Sequence, residues 1–195
     1  MVDNWKTLED EKICGVDIDG VLNYYPDCWL EVINSFAHRS FRDIDEAKEQ
    51  LSYNQYRRLR KEYREFYEVS VPPREGAKEF LDNLSKLGWK VYLITKRPVD
   101  KYKTQWNTTR EWLNKNQLVC DGIFADANKH IKILTVFPNL KFMVEDHRVI
   151  ANQVAKWGYK VYLLNNKYNS GDTLPKVKRV KTLEEVYENV KADNI

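Results

Sequence analysis

An alternation constrains this chain more than any other feature of its sequence. Five short runs are apolar almost throughout: Ile13–Ile18, Lys90–Thr95, Asp121–Phe124, Lys141–Glu145 and Lys160–Leu164. Polar segments with helical periodicity separate the last four, at about 75–87, 101–116, 129–136 and 147–157. A strand with one face in water alternates apolar and polar residues, whereas a continuous apolar run needs cover on both faces. Such strands, spaced by helices, define an α/β fold: a Rossmann-like parallel sheet with helices on both sides.

Two junctions echo each other, Lys86-Leu87-Gly88-Trp89-Lys90-Val91 and Lys156-Trp157-Gly158-Tyr159-Lys160-Val161. In each, a glycine follows a helical pattern and a strand begins at once. Glycine there takes the left-handed conformation that stops a helix. A last helix is expected to start near Thr182, because Thr182-Leu183-Glu184-Glu185 has capping-box form. Residues 23–74 break the alternation with two helical segments, about 27–39 and 43–67, and Pro72-Pro73 marks the return. The expected organisation is a core of 1–22 and 75–195 with a helical cap, 23–74, inserted after the first strand.

Composition excludes several classes. The three cysteines lack CxxC spacing, so neither a zinc site nor a disulfide framework is expected. No apolar stretch approaches the roughly 20 residues of a membrane span. Met1-Val2-Asp3-Asn4-Trp5-Lys6 holds no apolar signal-peptide core, which makes cytoplasm the default location. A net charge of +3 is too small to announce a nucleic-acid binder.

Three of the apolar runs end in reactive side chains. Asp17-Ile18-Asp19-Gly20 closes the first, and ligands of open α/β sheets bind at that edge. Two carboxylates so close repel unless a cation or proton compensates, and oxygen ligands suit Mg²⁺. A carboxylate is also able to attack phosphorus and form an aspartyl-phosphate. Thr95-Lys96-Arg97-Pro98 closes the second run, with a hydroxyl and a guanidinium able to bind phosphate oxygens. Glu145-Asp146 closes the fourth, holding a cation or, alternatively, with Asp146 capping the next helix. Lys129 and Lys132, just upstream, offer a point charge for phosphate. Each motif alone also fits a plain strand exit or a solvated surface. Their joint order along the chain does not.

That order resembles the haloacid dehalogenase-like phosphohydrolases over about 13–25 and 75–170. Within them the chain looks most like the 5′(3′)-deoxyribonucleotidase and 5′-nucleotidase group, through Thr95-Lys96-Arg97-Pro98, Phe142-Met143-Val144-Glu145-Asp146-His147 and Leu164-Asn165-Asn166-Lys167-Tyr168-Asn169. The resemblance implies Asp17 as nucleophile and Asp19 as general acid and base, with its backbone carbonyl on Mg²⁺. It implies Thr95 at the phosphoryl group, Lys129 or Lys132 as the neutralising lysine, and Glu145 and Asp146 on the metal. It departs from the usual pattern at Lys96 and in having Glu first in the acidic pair.

The insertion is rich in aromatic residues. Trp29, Ile33 and Phe36 fall at helical spacing, as do Tyr56, Leu59, Tyr63 and Phe66. Such stripes either pack the cap or, through Trp29 and Tyr63, stack on a nucleobase. Arg57, Arg58, Arg60, Lys61 and Arg64 form either a solvated face or a path for a polyanion. The expected activity is a Mg²⁺-dependent phosphatase acting on a small phosphorylated substrate, a nucleoside monophosphate. The alternatives are a polynucleotide-end phosphatase and a non-catalytic interaction module of the same fold.

Overall fold

A computed structural model describes residues 11–99 and 104–193, so the opening Met1–Lys6 segment and the start of the helix expected from residue 101 lie outside the described residues. Six strands form one sheet: β1 (Ile13–Val16), β2 (Lys90–Thr95), β3 (Gly122–Ala125), β4 (Leu140–Glu145), β5 (Lys160–Leu164) and β6 (Val177–Val180). Their order is β3-β2-β1-β4-β5-β6, and every neighbouring pair is parallel. The sequence patterning finds the first five and misses β6. That strand, Val-Lys-Arg-Val, lies at the sheet edge and buries only its two valines, so it never becomes a continuous apolar run.

Among the described residues five helices cover the sheet. α4 (Ala77–Lys86), α5 (Gln105–Lys115) and α8 (Leu183–Ala192) pack on one face, through Phe80, Leu81, Leu84, Trp112, Leu113 and Val186. α6 (Lys129–Val136) and α7 (Arg148–Lys156) pack on the other, through Ile133, Ile150, Ala151 and Val154. Within strands the side chains alternate between these cores: Phe142 and Val144 face one, Met143 the other. Gly88 and Gly158 have φ of 81° and 95°, the left-handed geometry expected at both helix-to-strand junctions. Thr182 accepts a hydrogen bond from Glu185 N at 3.1 Å and starts α8. No helix among the described residues is long and apolar enough to cross a membrane.

Between β1 and α4 the chain forms α1 (Asp27–Ala37), α2 (Ile44–Gln50), α3 (Tyr53–Glu62), a π-helical turn (Tyr63–Tyr67) and a 3₁₀ turn (Glu68–Ser70). The expected single helix over 43–67 is therefore broken. Ser52 stops it and restarts it: its hydroxyl accepts from Gln55 N at 3.3 Å while Gln55 Oε1 accepts from Ser52 N at 3.0 Å. Cys28, Trp29, Ile33, Phe41, Ala47, Tyr63 and Val71 give this segment its own small core.

Several bonds tie the insertion to α5, among them one from Trp112 Nε1 to Val71 O at 2.7 Å, both groups being buried. Trp112→Phe keeps most of the ring and leaves that carbonyl without its donor. Urea denaturation should show a loss of about 1–3 kcal/mol with little change in slope. Unchanged stability would mean that this bond does not hold the two parts together.

Candidate active site

The carboxyl ends of β1, β2 and β4 deliver their motifs to one cleft of about 470 Å³, lined among others by Asp17, Asp19, Thr95, Glu145 and Asp146. The insertion covers it with Tyr25, Lys48, Arg60 and Arg64. Lys96 is exposed at its mouth.

The floor is built around Lys129. This residue opens α6, is fully buried, and donates to Ile94 O at 3.1 Å. Its Nζ lies 2.5 Å from Asp17 Oδ2 and 2.9 Å from Glu145 Oε2. Burial alone disfavours the ammonium, but Asp17 and Glu145 outweigh it and raise its pKa, so it stays charged. Lys132, one turn further on, is exposed. Of the two lysines left open by the sequence, only Lys129 reaches the carboxylates.

Asp17, Glu145 and Asp146 are all buried, and each offers an oxygen within 4.8 Å of the others. Three carboxylates against one ammonium leave excess negative charge where water cannot screen it. The consequence is visible in their proton affinities. Burial pushes Asp17 up to about 8, with Lys129 opposing it and Glu145 adding to it. Burial and then Asp17 push Asp146 up to about 7. A hard divalent cation relieves the same imbalance. The donors are oxygen only, which suits Mg²⁺, and its octahedron, with bonds of 2.0–2.1 Å, sets opposite oxygens about 4 Å apart, somewhat inside the 4.8 Å within which these oxygens lie. Asp146 does not cap α7: the N-cap is His147, with no side-chain capping bond, and its N–H donates to Glu145 Oε1 at 3.1 Å.

Gly20 permits this convergence. Its φ is +86°, and a Cβ there would lie 2.0 Å from Asp146 Oδ2. Tyr168, beyond β5, donates its hydroxyl to the same oxygen. Asn169 Nδ2 donates to both Asp146 O and Leu164 O at 2.7 Å, which fastens the β5 loop to the β4 loop.

Asp19 is arranged differently from its neighbours. Arg97 takes it through two bonds, Nη2 to Oδ1 at 2.7 Å and Nε to Oδ2 at 3.3 Å. Arg64 adds a bond to Oδ2 at 3.1 Å and Asn23 one to Oδ1 at 3.0 Å. Burial works against the charge, but Arg97 and then Arg64 hold the carboxyl well below the usual range. Arg64 is paired in turn with buried Glu68, which also accepts from Gln105 of α5. Thr95 Oγ1 accepts from Arg97 N at 3.2 Å.

Two expectations need correction. Arg97 is committed to Asp19 and to Thr109 rather than free for phosphate. Trp29 and Tyr63 are each 1% exposed and pack on each other at 4.9 Å, so they form the insertion's core and do not line the cleft. The basic run is not one surface: Arg58 and Lys61 pair with Glu62 and Glu65, while Arg64 alone is buried. Arg64 and Glu68 were missed as site residues. Their four-residue spacing was the available signal, and the π-turn that holds Arg64 and the 3₁₀ turn that holds Glu68 left none.

No family model matches the chain. A nucleotidase from Clostridium acetobutylicum is 27% identical over 193 residues, covering 92% of this chain and 93% of that protein. A haloacid dehalogenase-like family hydrolase from Streptococcus pneumoniae superposes with a TM-score of 0.64 at 13% identity, over 92% of this chain and 98% of that one. The D,D-heptose 1,7-bisphosphate phosphatase of B. bronchiseptica, solved with magnesium and phosphate, gives 0.59 at 14% identity, over 93% and 99%. The fold is the one these hydrolases share, and the comparisons agree with the phosphohydrolase class that the strand-end motifs resemble.

A cation-binding cluster should stabilise the folded chain when filled, by about 2.7 kcal/mol at 100 times the dissociation constant. Mg²⁺ should therefore raise the Tm of the wild type, and Gly20→Ala, which displaces Asp146, should remove most of that rise. An equal rise in both proteins would place the ion elsewhere.

Proposed function

We propose that this haloacid dehalogenase-like phosphatase is a Mg²⁺-dependent phosphomonoesterase that works through an aspartyl-phosphate on Asp17 and acts on nucleoside monophosphates. The observation that carries the reading is the buried Lys129 ammonium against Asp17 and Glu145, with Asp146 beside them. Asp17, Glu145 and Asp146 would hold the ion, which when bound supplies charge neutralisation for the phosphoryl oxygens. Lys129 adds to this, so that an anionic Asp17 is able to approach an anionic ester.

The chemistry then divides into two displacements. An Asp17 oxygen attacks phosphorus, the bond to the leaving oxygen breaks, and that oxygen takes a proton from Asp19. Water next attacks the phosphorus of the acyl phosphate, gives its proton to Asp19, and releases phosphate and free Asp17. The pairing of Asp19 with Arg64 and Arg97 favours the carboxylate, the form that accepts the proton from water. Delivering a proton in the first step requires Asp19 to turn away from those guanidiniums. Thr95 is suited to orient the phosphoryl group, and Lys96 to attract the substrate at the mouth. The insertion, as a cap, excludes water from the cleft while transfer occurs.

The nucleotide class rests on the similarity to the Clostridium nucleotidase and on the motif resemblance. Action on polynucleotide ends gains no support from the basic run, since Glu62 and Glu65 neutralise part of it.

The test is phosphate release with Mg²⁺ and with EDTA, across ribo- and deoxynucleoside monophosphates, 3′-phosphorylated oligonucleotides and sugar phosphates. Nucleoside monophosphates should lead, and EDTA should abolish release. Asp17→Asn, which keeps shape but removes the nucleophile, should lower kcat by about 10³-fold or more while the protein stays folded. Near-wild-type release from that variant would end the covalent reading.

A further inference from the structure

With Trp29 and Tyr63 buried in the insertion's own core, no residue yet named recognises the part of the substrate beyond its phosphate. A second groove of about 470 Å³ lies beside the catalytic cleft and shares Tyr25, Pro26 and Tyr168 with it. Its remaining walls come from Tyr24, Asp27 and Arg74 and from the segment after β5, Asn165, Asn166 and Lys167. That volume is in the range of small-ligand sites.

We propose that this groove is the nucleobase subsite, a point that rests on the nucleotide reading above and adds its location. The shared residues form the wall between the two cavities, where the Tyr168 hydroxyl is bonded to Asp146 and lies 3.3 Å from Tyr25 O, so a nucleotide with its phosphoryl group at Asp17 would reach the groove with its leaving nucleoside across Tyr168. The bond to Asp146 fixes the Tyr168 ring at the boundary. Tyr24 is fixed from two directions. Its hydroxyl accepts from Glu75 N at 3.1 Å, and the Arg74 guanidinium lies 4.5 Å from its ring centre. Arg74 is itself anchored, donating to Val21 O and Gly20 O at 3.0 Å each. Two rigid rings, 39% and 46% exposed, therefore flank the space, and rigid aromatic faces suit a planar base.

The segment after β5 offers polar recognition. The side-chain nitrogen of Asn166 has no hydrogen-bond partner among the described residues. A buried donor without a partner is uncommon, and turning the Asn166 side chain into the groove it lines would let a carbonyl on the edge of a bound base satisfy it. A bare sugar phosphate would leave both the ring faces and this donor unused.

The experiment compares uridine 5′-monophosphate with ribose 5-phosphate, which share the sugar and the leaving oxygen and differ only in the base. The wild type should prefer the nucleotide in kcat/KM. Tyr24→Ala should cut that preference about tenfold, the loss of one stacking face, and Tyr24→Phe should keep it. Asn166→Ala should reduce it independently, so the test survives if Tyr24→Ala fails to fold. A preference that persists in both alanine variants overturns the groove and leaves the nucleotide reading standing. A wild type with no preference overturns the nucleotide reading and the groove with it.

Discussion

A single buried ammonium organises the site. Lys129 has no exposure and meets two carboxylates at 2.5 and 2.9 Å, in a place that also holds Asp146. An unpaired charge buried in protein is costly, and removing one partner of such a pair is more damaging than never having built it. Every element around Lys129 therefore has a fixed position. β1 brings Asp17, β4 brings Glu145 and Asp146, α6 brings the lysine, and β2 supplies a backbone carbonyl from Ile94. The parallel sheet puts all three strand ends at one edge, and the remaining negative charge suits that edge to a cation.

The insertion reaches the same centre through a second charged group. Arg64, from its π-turn, and Arg97, from the end of β2, hold Asp19 between them, and Glu68 compensates both guanidiniums. Gln105 of α5 completes the chain of contacts. Seating of the insertion and orientation of Asp19 are thus one arrangement, because Arg64 takes part in both. π-turns within helices occur often at functional sites, and here the extra residue turns Tyr63 into the insertion's core and Arg64 towards Asp19.

Much of this was legible in the sequence because it is local. Continuous apolar runs marked β1 to β5, and the reactive residues at their ends followed from chain order alone. β6 was hidden because an edge strand buries too little to leave a pattern. The choice between Lys129 and Lys132 depended on which side of α6 packs on the sheet, a tertiary fact. Trp29 and Tyr63 illustrate a limit of periodicity: it identifies a buried face without saying what covers that face. Arg64 was hidden in a run of basic residues because a change of helical phase, absent from any residue pattern, separates it from its solvated neighbours.

The central claim is that Asp17 carries the phosphoryl group between two displacements. Acid quenching during steady-state turnover with Mg²⁺ and saturating uridine 5′-monophosphate, followed by peptide mass mapping, tests it directly. The account predicts one added phosphoryl group on the peptide containing Asp17, lost on treatment with hydroxylamine as an acyl phosphate should be. Steady phosphate release with that peptide unmodified at every quench time, or with the phosphoryl group on another residue, would contradict it.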